Sequence, residues 1–263
     1  MNALINRLYR QLFCRGGYGV HSPFVFDLIT TVIEERKHYY CYEHLHAVRL
    51  QLLQYQPNVT VHNRIMSVEK AINTCCFTEA EDRLLFRLAN RFQPKTIFMI
   101  GSHFGLTPLY LTAYSKDSAC IVIEPEPSIA AITDEFLKKY ASASIELCNS
   151  LRGFLKTCNK DHCDDNRLLS LSINRHFDFI VWGNSFRSFD QTLSLKNFER
   201  FLPHLDDKSV MVITGINASS NSRKVWNVIC VHPKVTVTLD LYRFGIVFFN
   251  PQYPQKTYKS VVL

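Results

Sequence analysis

The stretch FMIGSHFGLTPLYL, Phe98 to Leu111, runs from an apolar strand pattern through Gly101 and Gly105 into a helical apolar pattern. Gly101 removes a side chain where a ligand must approach the backbone, and Gly105 lets the turn enter the next helix closely. The helix start then offers backbone N–H groups that have no intrahelical partner. Glu124 lies 23 residues beyond Gly101 and ends the next strand pattern. An ionised carboxylate only accepts hydrogen bonds, so it suits the two hydroxyls of a ribose at a strand tip. These residues predict a nucleoside site across two adjacent strand tips. A second reading stays open, in which the glycines serve packing alone and the glutamate lies on the surface.

Other chemistry-bearing side chains are sparse. His103 sits inside the turn and is the best-placed proton acceptor, against a structural or solvent-facing role. His21, in GYGVHSPF, belongs to a shaped loop that is either part of a lid or a connector between helices. Arg187 follows the fourth strand pattern and either meets an anionic substrate or is solvated. Trp226 and His232 read as packing against the closing strands. Cys158, His162 and Cys163 lie close together in CNKDHCDD, but the spacing is not a metal-site pattern and a polar surface loop is expected. There is no G-x-S-x-G elbow for a serine hydrolase and no G-x-x-x-x-G-K-[ST] phosphate loop.

Positioning these residues requires an α/β scaffold. From Thr96 onward, strand patterns (TIFMIG, ACIVIEPE, SIELCN, FDFIVWGN, SVMVITG) alternate with helical ones. Two consecutive strands, within VTVTLDLYRFGIVFFN, close the series. Such alternation predicts a Rossmann-like, seven-stranded and mostly parallel sheet with helices on both faces and a C-terminal antiparallel hairpin. The hairpin implies that one edge strand runs against the rest. Residues 159–175 read as a polar loop.

The first ninety or so residues read as helices. Residues 2–14 are amphipathic; Ser22 caps a helix with Pro23 at its first position; YEHLHAVRLQLLQY carries Leu45, Val48, Leu52 and Tyr55 on one face. Thr78 with Glu81 is a capping box opening TEAEDRLLFRLANRF. The division expected is a helical extension over residues 1–77 and an α/β domain over residues 78–263.

The 263 residues are 47% hydrophobic, enough for a sizeable core, and no apolar run approaches the length of a membrane span. The N-terminal apolar pattern is broken by Asn6 and Arg7, unlike a signal peptide, so a cytoplasmic protein is expected. Nine cysteines without repeated spacing agree with a reducing compartment. The net charge of +7 is spread without a long basic run.

Taken in order, the IGSHFGLTPLYL turn, strand-end Glu124 and the closing hairpin resemble the class I S-adenosylmethionine-dependent methyltransferases, over about residues 78–250. The resemblance is nearest to the O-methyltransferase branch that includes the catechol and caffeoyl-CoA enzymes. The segments GYGVHSPFVFDLI, LLFRLANRFQPKTI and VHPKVTVTLDLYRFGIVFF are similar to those of a group from Bacteroides relatives. The resemblance implies S-adenosyl-L-methionine as cofactor, with Gly101, Ser102, His103 and Gly105 along its methionine and ribose side. It implies Glu124 on the ribose hydroxyls, Pro125 at the adenine edge, Asn149 and Ser150 against adenine, and Trp182 facing the transferred methyl.

Departures from that family are equally specific. Met99 stands where a carboxylate usually precedes the turn, and Trp182 and Thr214 stand at two further acidic positions. Asn184 and Asn217 are neutral where the metal-dependent branch needs hard anionic ligands for a divalent cation, so no metal is expected. The expectation is a metal-independent methyltransferase with an unidentified small-molecule or macromolecular acceptor, the helical extension capping the site or forming a homodimer. The alternative is a catalytically silent protein of that fold that binds or scaffolds a partner. An NAD-dependent oxidoreductase fits the turn and hairpin poorly.

Overall fold

The computed structural model describes residues 10, 14–56, 58–61, 63–149, 176–183 and 194–260. The sequence-predicted helix over 2–14 falls outside them except for Arg10 and Cys14, as do Ser150, Asn184, Ser185, Arg187 and the Cys158–Cys163 cluster.

The local signals act as read. Ser22 accepts a hydrogen bond from Val25 N and opens helix α1, Pro23–Leu28. The chain then widens into a π-helical turn, Ile29–Ile33. Thr30 donates to the carbonyls of Phe26 and Asp27, and Thr31 to that of Asp27. Such back-bonding competes with the regular ladder and favours distortion. Helix α2, Tyr42–Leu53, buries Leu45, Val48 and Leu52. Helix α4, Glu79–Phe92, has both arms of the Thr78–Glu81 capping box in place.

Between α2 and α4 the helical expectation is corrected. Strands β1 (Asn58–Val61) and β2 (Arg64–Ser67) pair antiparallel, and α3 (Val68–Cys75) follows, capped by Ser67. Val59 and Val61 are buried while Asn58 and Thr60 are exposed, the period-2 alternation of a half-buried strand. Asn63 takes the left-handed conformation that a tight hairpin turn requires.

The main sheet contains β3 (Thr96–Ile100), β4 (Ala119–Ile123), β5 (Ser144–Cys148), β6 (Phe179–Trp182), β7 (Val210–Thr214), β8 (Val237–Asp240), β9 (Phe244–Phe248) and β10 (Lys256–Lys259), in the order β10-β8-β9-β7-β6-β3-β4-β5. Its helices are α5 (Leu106–Thr112), α6 (Pro127–Tyr140), α7 (Leu195–Phe201) and α8 (Ser220–Cys230). Two features correct the sequence reading. Among the described residues the sheet has eight strands, because β10 joins β8 in parallel. The antiparallel strand is β9, and it lies inside the sheet between β7 and β8, not at an edge.

Alternate residues of the central strands enter different cores. Ile97, Met99, Val122, Val181 and Val212 meet α1 and α4 on one face; Phe98, Ile100, Ile123, Trp182 and Ile213 meet α7 and α8 on the other. Covering both faces is what makes these strands near-continuous apolar runs. A third cluster joins α2, α3 and β1 to α5 and α6 through Val48, Leu52, Val59, Leu109, Tyr110 and Phe136.

Gly245, in β9, has the Trp226 ring where a side chain would stand: an added Cβ would lie 2.3 Å from Trp226 Cζ3. Trp226 is fully buried, so its ring can yield only by repacking its neighbours. Gly245→Ala should therefore destabilise the fold by about 1–3 kcal/mol. An unchanged urea midpoint would show that the ring is free to shift.

Candidate functional site

At the end of β3 the chain makes an unusually tight turn. Gly101 has φ +87° and its N–H donates to Ile123 O of the next strand (2.9 Å). His103, Phe104 and Gly105 then follow with φ of +48°, +57° and +87°. Two successive non-glycine residues in the left-handed region cost of order 1 kcal/mol each, and persist only where their surroundings over-determine them. Here Phe104 is held in the third core cluster, and Gly105 leaves room for Leu137.

Glu124, at the tip of β4, is fully buried and faces this turn. Its Oε2 accepts hydrogen bonds from Ser102 N (3.0 Å) and Ser102 Oγ (2.6 Å), and its Oε1 from Glu126 N (3.1 Å). Ser102 Oγ has a second partner, Thr133 Oγ1 of α6, at 2.9 Å. Burial pushes the Glu124 carboxyl above its ordinary range, against the pull of the Ser102 and Glu126 donors. In this arrangement Glu124 ties two strand tips together and accepts three hydrogen bonds from the protein.

His103 is also buried and belongs to a polar chain. Its Nδ1 lies 2.8 Å from Thr107 Oγ1. Thr107 Oγ1 donates to Asp82 Oδ1 (2.6 Å), and Asp82 Oδ2 accepts from Arg49 Nη2 (2.6 Å). Arg49 also donates to Phe77 O, and the Phe77 ring meets His103 edge-on at 4.1 Å. Burial first, and the Arg49 charge second, lower the His103 pKa to about 3, so the ring is neutral. Burial raises that of Asp82 to about 7 against the attraction of Arg49. While Asp82 is ionised, Thr107 spends its one proton on it, and His103 Nδ1 must be the donor. A neutral, poorly basic ring suits a structural link better than proton abstraction.

The remaining expected positions that are described lie at the same end of the sheet but differ in exposure. Pro125 is half-buried and Asn149 is exposed beyond β5. Trp182 is buried in the core and packs against Phe201, ring centroids 5.6 Å apart. Met99 is fully buried among apolar side chains. Asn217 is committed to Tyr242 O (2.6 Å) and Arg223. Sequence reasoning missed Asp82, Arg49 and Thr107. Asp82 looked like an ordinary first-turn acid of α4, and its partners come from α2 and α5.

Structure comparison places this architecture beside three solved enzymes. The O-methyltransferase from Bacillus cereus, in complex with SAH, aligns with a TM-score of 0.52 at 14% identity, covering 85% of this chain and 96% of that one. The O-methyltransferase TomG from Streptomyces achromogenes, involved in tomaymycin synthesis and solved with SAM, gives 0.51 at 16%, covering 68% and 87%. A methyltransferase from Geobacter sulfurreducens gives 0.51 at 13%, covering 87% and 96%. This is a methyltransferase fold. No protein-family model matches the sequence, and no curated protein does. Within the methyltransferase fold, Gly101, Glu124 and Asn149 stand just beyond the C-terminal ends of the neighbouring strands β3, β4 and β5, on the side where open α/β sheets bind ligands. Among the described residues no helix is long and apolar enough to cross a membrane.

Proposed function

We propose that the chain binds S-adenosylmethionine across the tips of β3 and β4 and transfers its methyl group to an acceptor without a metal ion. The observation that carries this reading is Glu124 at the tip of β4, aimed at the Gly101 turn, in a fold whose solved examples hold SAM or SAH. A carboxylate offers about four acceptor sites, and Glu124 uses three on the protein. Ser102 Oγ can turn to Thr133, its other partner at 2.9 Å, and so release one further site for a ribose diol. The bare Gly101 backbone gives the cofactor a close approach. When bound, the cofactor supplies a sulfonium methyl that is already electrophilic. The chain's part is to exclude water and hold the acceptor in line, and such positioning supplies much of a transfer rate.

A second reading has its own support. Glu124 is buried and already hydrogen-bonded, and Met99 and Thr214 occupy positions that are acidic in the family it resembles. These features favour a silent member that serves as a binding partner. Calorimetric titration with S-adenosylmethionine, in EDTA and then in Mg²⁺, separates the two. The proposal expects saturable heat that EDTA does not abolish and that Glu124→Gln weakens. A heatless titration of the unaltered, folded protein would leave the silent reading standing.

A further inference from the structure

Outside the strand tips, a cavity of about 440 Å³ opens between α4 and the segment that leaves the π-helical turn. On the α4 side, Glu79, Arg83 and Arg87 recur at four-residue spacing and form one stripe. The facing wall carries Ile33, Glu35, Arg36, Lys37 and Tyr42.

The charges around this cavity do not balance. Four cations line it, Arg36, Lys37, Arg83 and Arg87, against the carboxylates Glu35 and Glu79. Both carboxylates are shared. Glu35 accepts from Tyr39 OH (2.6 Å) and lies 3.2 Å from Lys37 Nζ. Glu79 holds Arg83 and also His46 Nδ1 (2.8 Å). Arg87 is only 8% exposed, yet its partners are neutral: Nε donates to Val32 O (2.6 Å), Nη2 to Ile33 O (3.1 Å), and the guanidinium also meets the Tyr42 hydroxyl. Among the described residues no carboxylate pairs with it. Buried charges are normally paired, because an uncompensated ion loses its hydration without recompense. The Nε of Arg83 is likewise buried without a hydrogen-bond partner, its guanidinium lying over the Tyr42 ring at 4.7 Å. Arg36 is exposed at the rim and makes no hydrogen bond or ion pair among the described residues.

We propose that this cavity is a binding site for a small organic polyanion, a phosphate ester or a polycarboxylate, that completes the charge of Arg87 and is gripped by Arg36 and Lys37. Guanidinium forks match both anion types. The volume falls in the range of small-molecule sites and exceeds what one inorganic phosphate fills.

The test is calorimetric titration of the full chain with pyrophosphate and, separately, citrate at low ionic strength. The variants are Arg36→Glu with Lys37→Glu, and Lys224→Glu with Lys234→Glu as a charge-matched control at exposed positions on α8 and the loop before β8. Both altered residues of the double variant are exposed, so the fold is expected to persist, and circular dichroism checks it. The proposal expects saturable one-to-one binding of at least one anion, weakened about tenfold or more in the double variant and less than twofold in the control. Pyrophosphate alone binding assigns a phosphate ligand; citrate alone assigns a polycarboxylate; both binding leaves the shared chemistry. Absence of saturable binding to either anion, or equal weakening in the control, overturns the site.

Discussion

Replacing Glu124 with alanine should destabilise the chain by about 3 kcal/mol or more. The carboxylate accepts three hydrogen bonds in a site with no solvent. Its removal strands the buried N–H of Ser102, at about 1–3 kcal/mol, and deprives the half-buried N–H of Glu126 of its carboxylate at a smaller cost. Ser102 Oγ loses less, since Thr133 remains. The size of the effect should depend on pH. Burial raises the folded-state pKa of Glu124 above its ordinary 4.5. Over the window from that value up to the folded pKa, the native state keeps a proton that the unfolded chain has released, so this group's contribution falls as pH rises. Urea midpoints of wild type and Glu124→Ala should therefore lie further apart at pH 5 than at pH 8. A gap that is constant, or wider at pH 8, would contradict the raised pKa. On the proposed function the variant also loses S-adenosylmethionine binding, and circular dichroism separates that loss from unfolding.

Asp82→Ala should cost about 3–5 kcal/mol, because it leaves the Arg49 guanidinium buried with only a carbonyl partner. The more diagnostic result is a change of slope. Asp82 binds its proton up to about pH 7 in the folded state but only to about 3.8 when unfolded. Its contribution is present at low pH and is lost as pH rises through that window. His103 behaves oppositely: its pKa falls from 6.5 to about 3, so the unfolded chain takes up a proton that the folded one refuses. Stability is then lost as pH falls from 6.5. Between about pH 4 and 6.5 the two nearly cancel in the wild type. In Asp82→Ala the offset to the His103 slope is gone, and stability should fall on acidification more steeply than in the wild type, by about 1.4 kcal/mol for each pH unit. Equal slopes in the two proteins would mean that Asp82 is ionised throughout.

The buried Arg49–Asp82–Thr107–His103 chain also shows why the turn keeps its unusual backbone. His103 and Phe104 hold left-handed conformations because one is bonded through Thr107 to α4 and the other is embedded in apolar packing. On the proposed function, a diol that takes two acceptor sites on Glu124 displaces one protein hydrogen bond, so binding and local stability are linked at the same three residues, Ser102, Glu124 and Thr133.

Short-range rules carried much of the architecture. Ser22, Thr78 and Glu81 cap helices because a side-chain oxygen three residues away can reach an unpaired N–H wherever the chain lies. The alternation of strand and helix patterns from Thr96, and the glycine turn with Glu124 beyond it, were legible because each depends on neighbouring residues alone. Strand partnership depends on distant ones. Nothing local to Lys256–Lys259 says that it pairs with β8, or that β9 inserts between β7 and β8. The direction of a side chain at a strand tip is decided the same way: Glu124 turned inward because Ser102 and Glu126 offered donors, and Asp82 became buried because Arg49 and Thr107 arrived from two other helices. Residue types and spacing thus determined the elements and the candidate tips. Only tertiary packing, by choosing which polar groups lose water and which partners replace it, decided what those tips can bind.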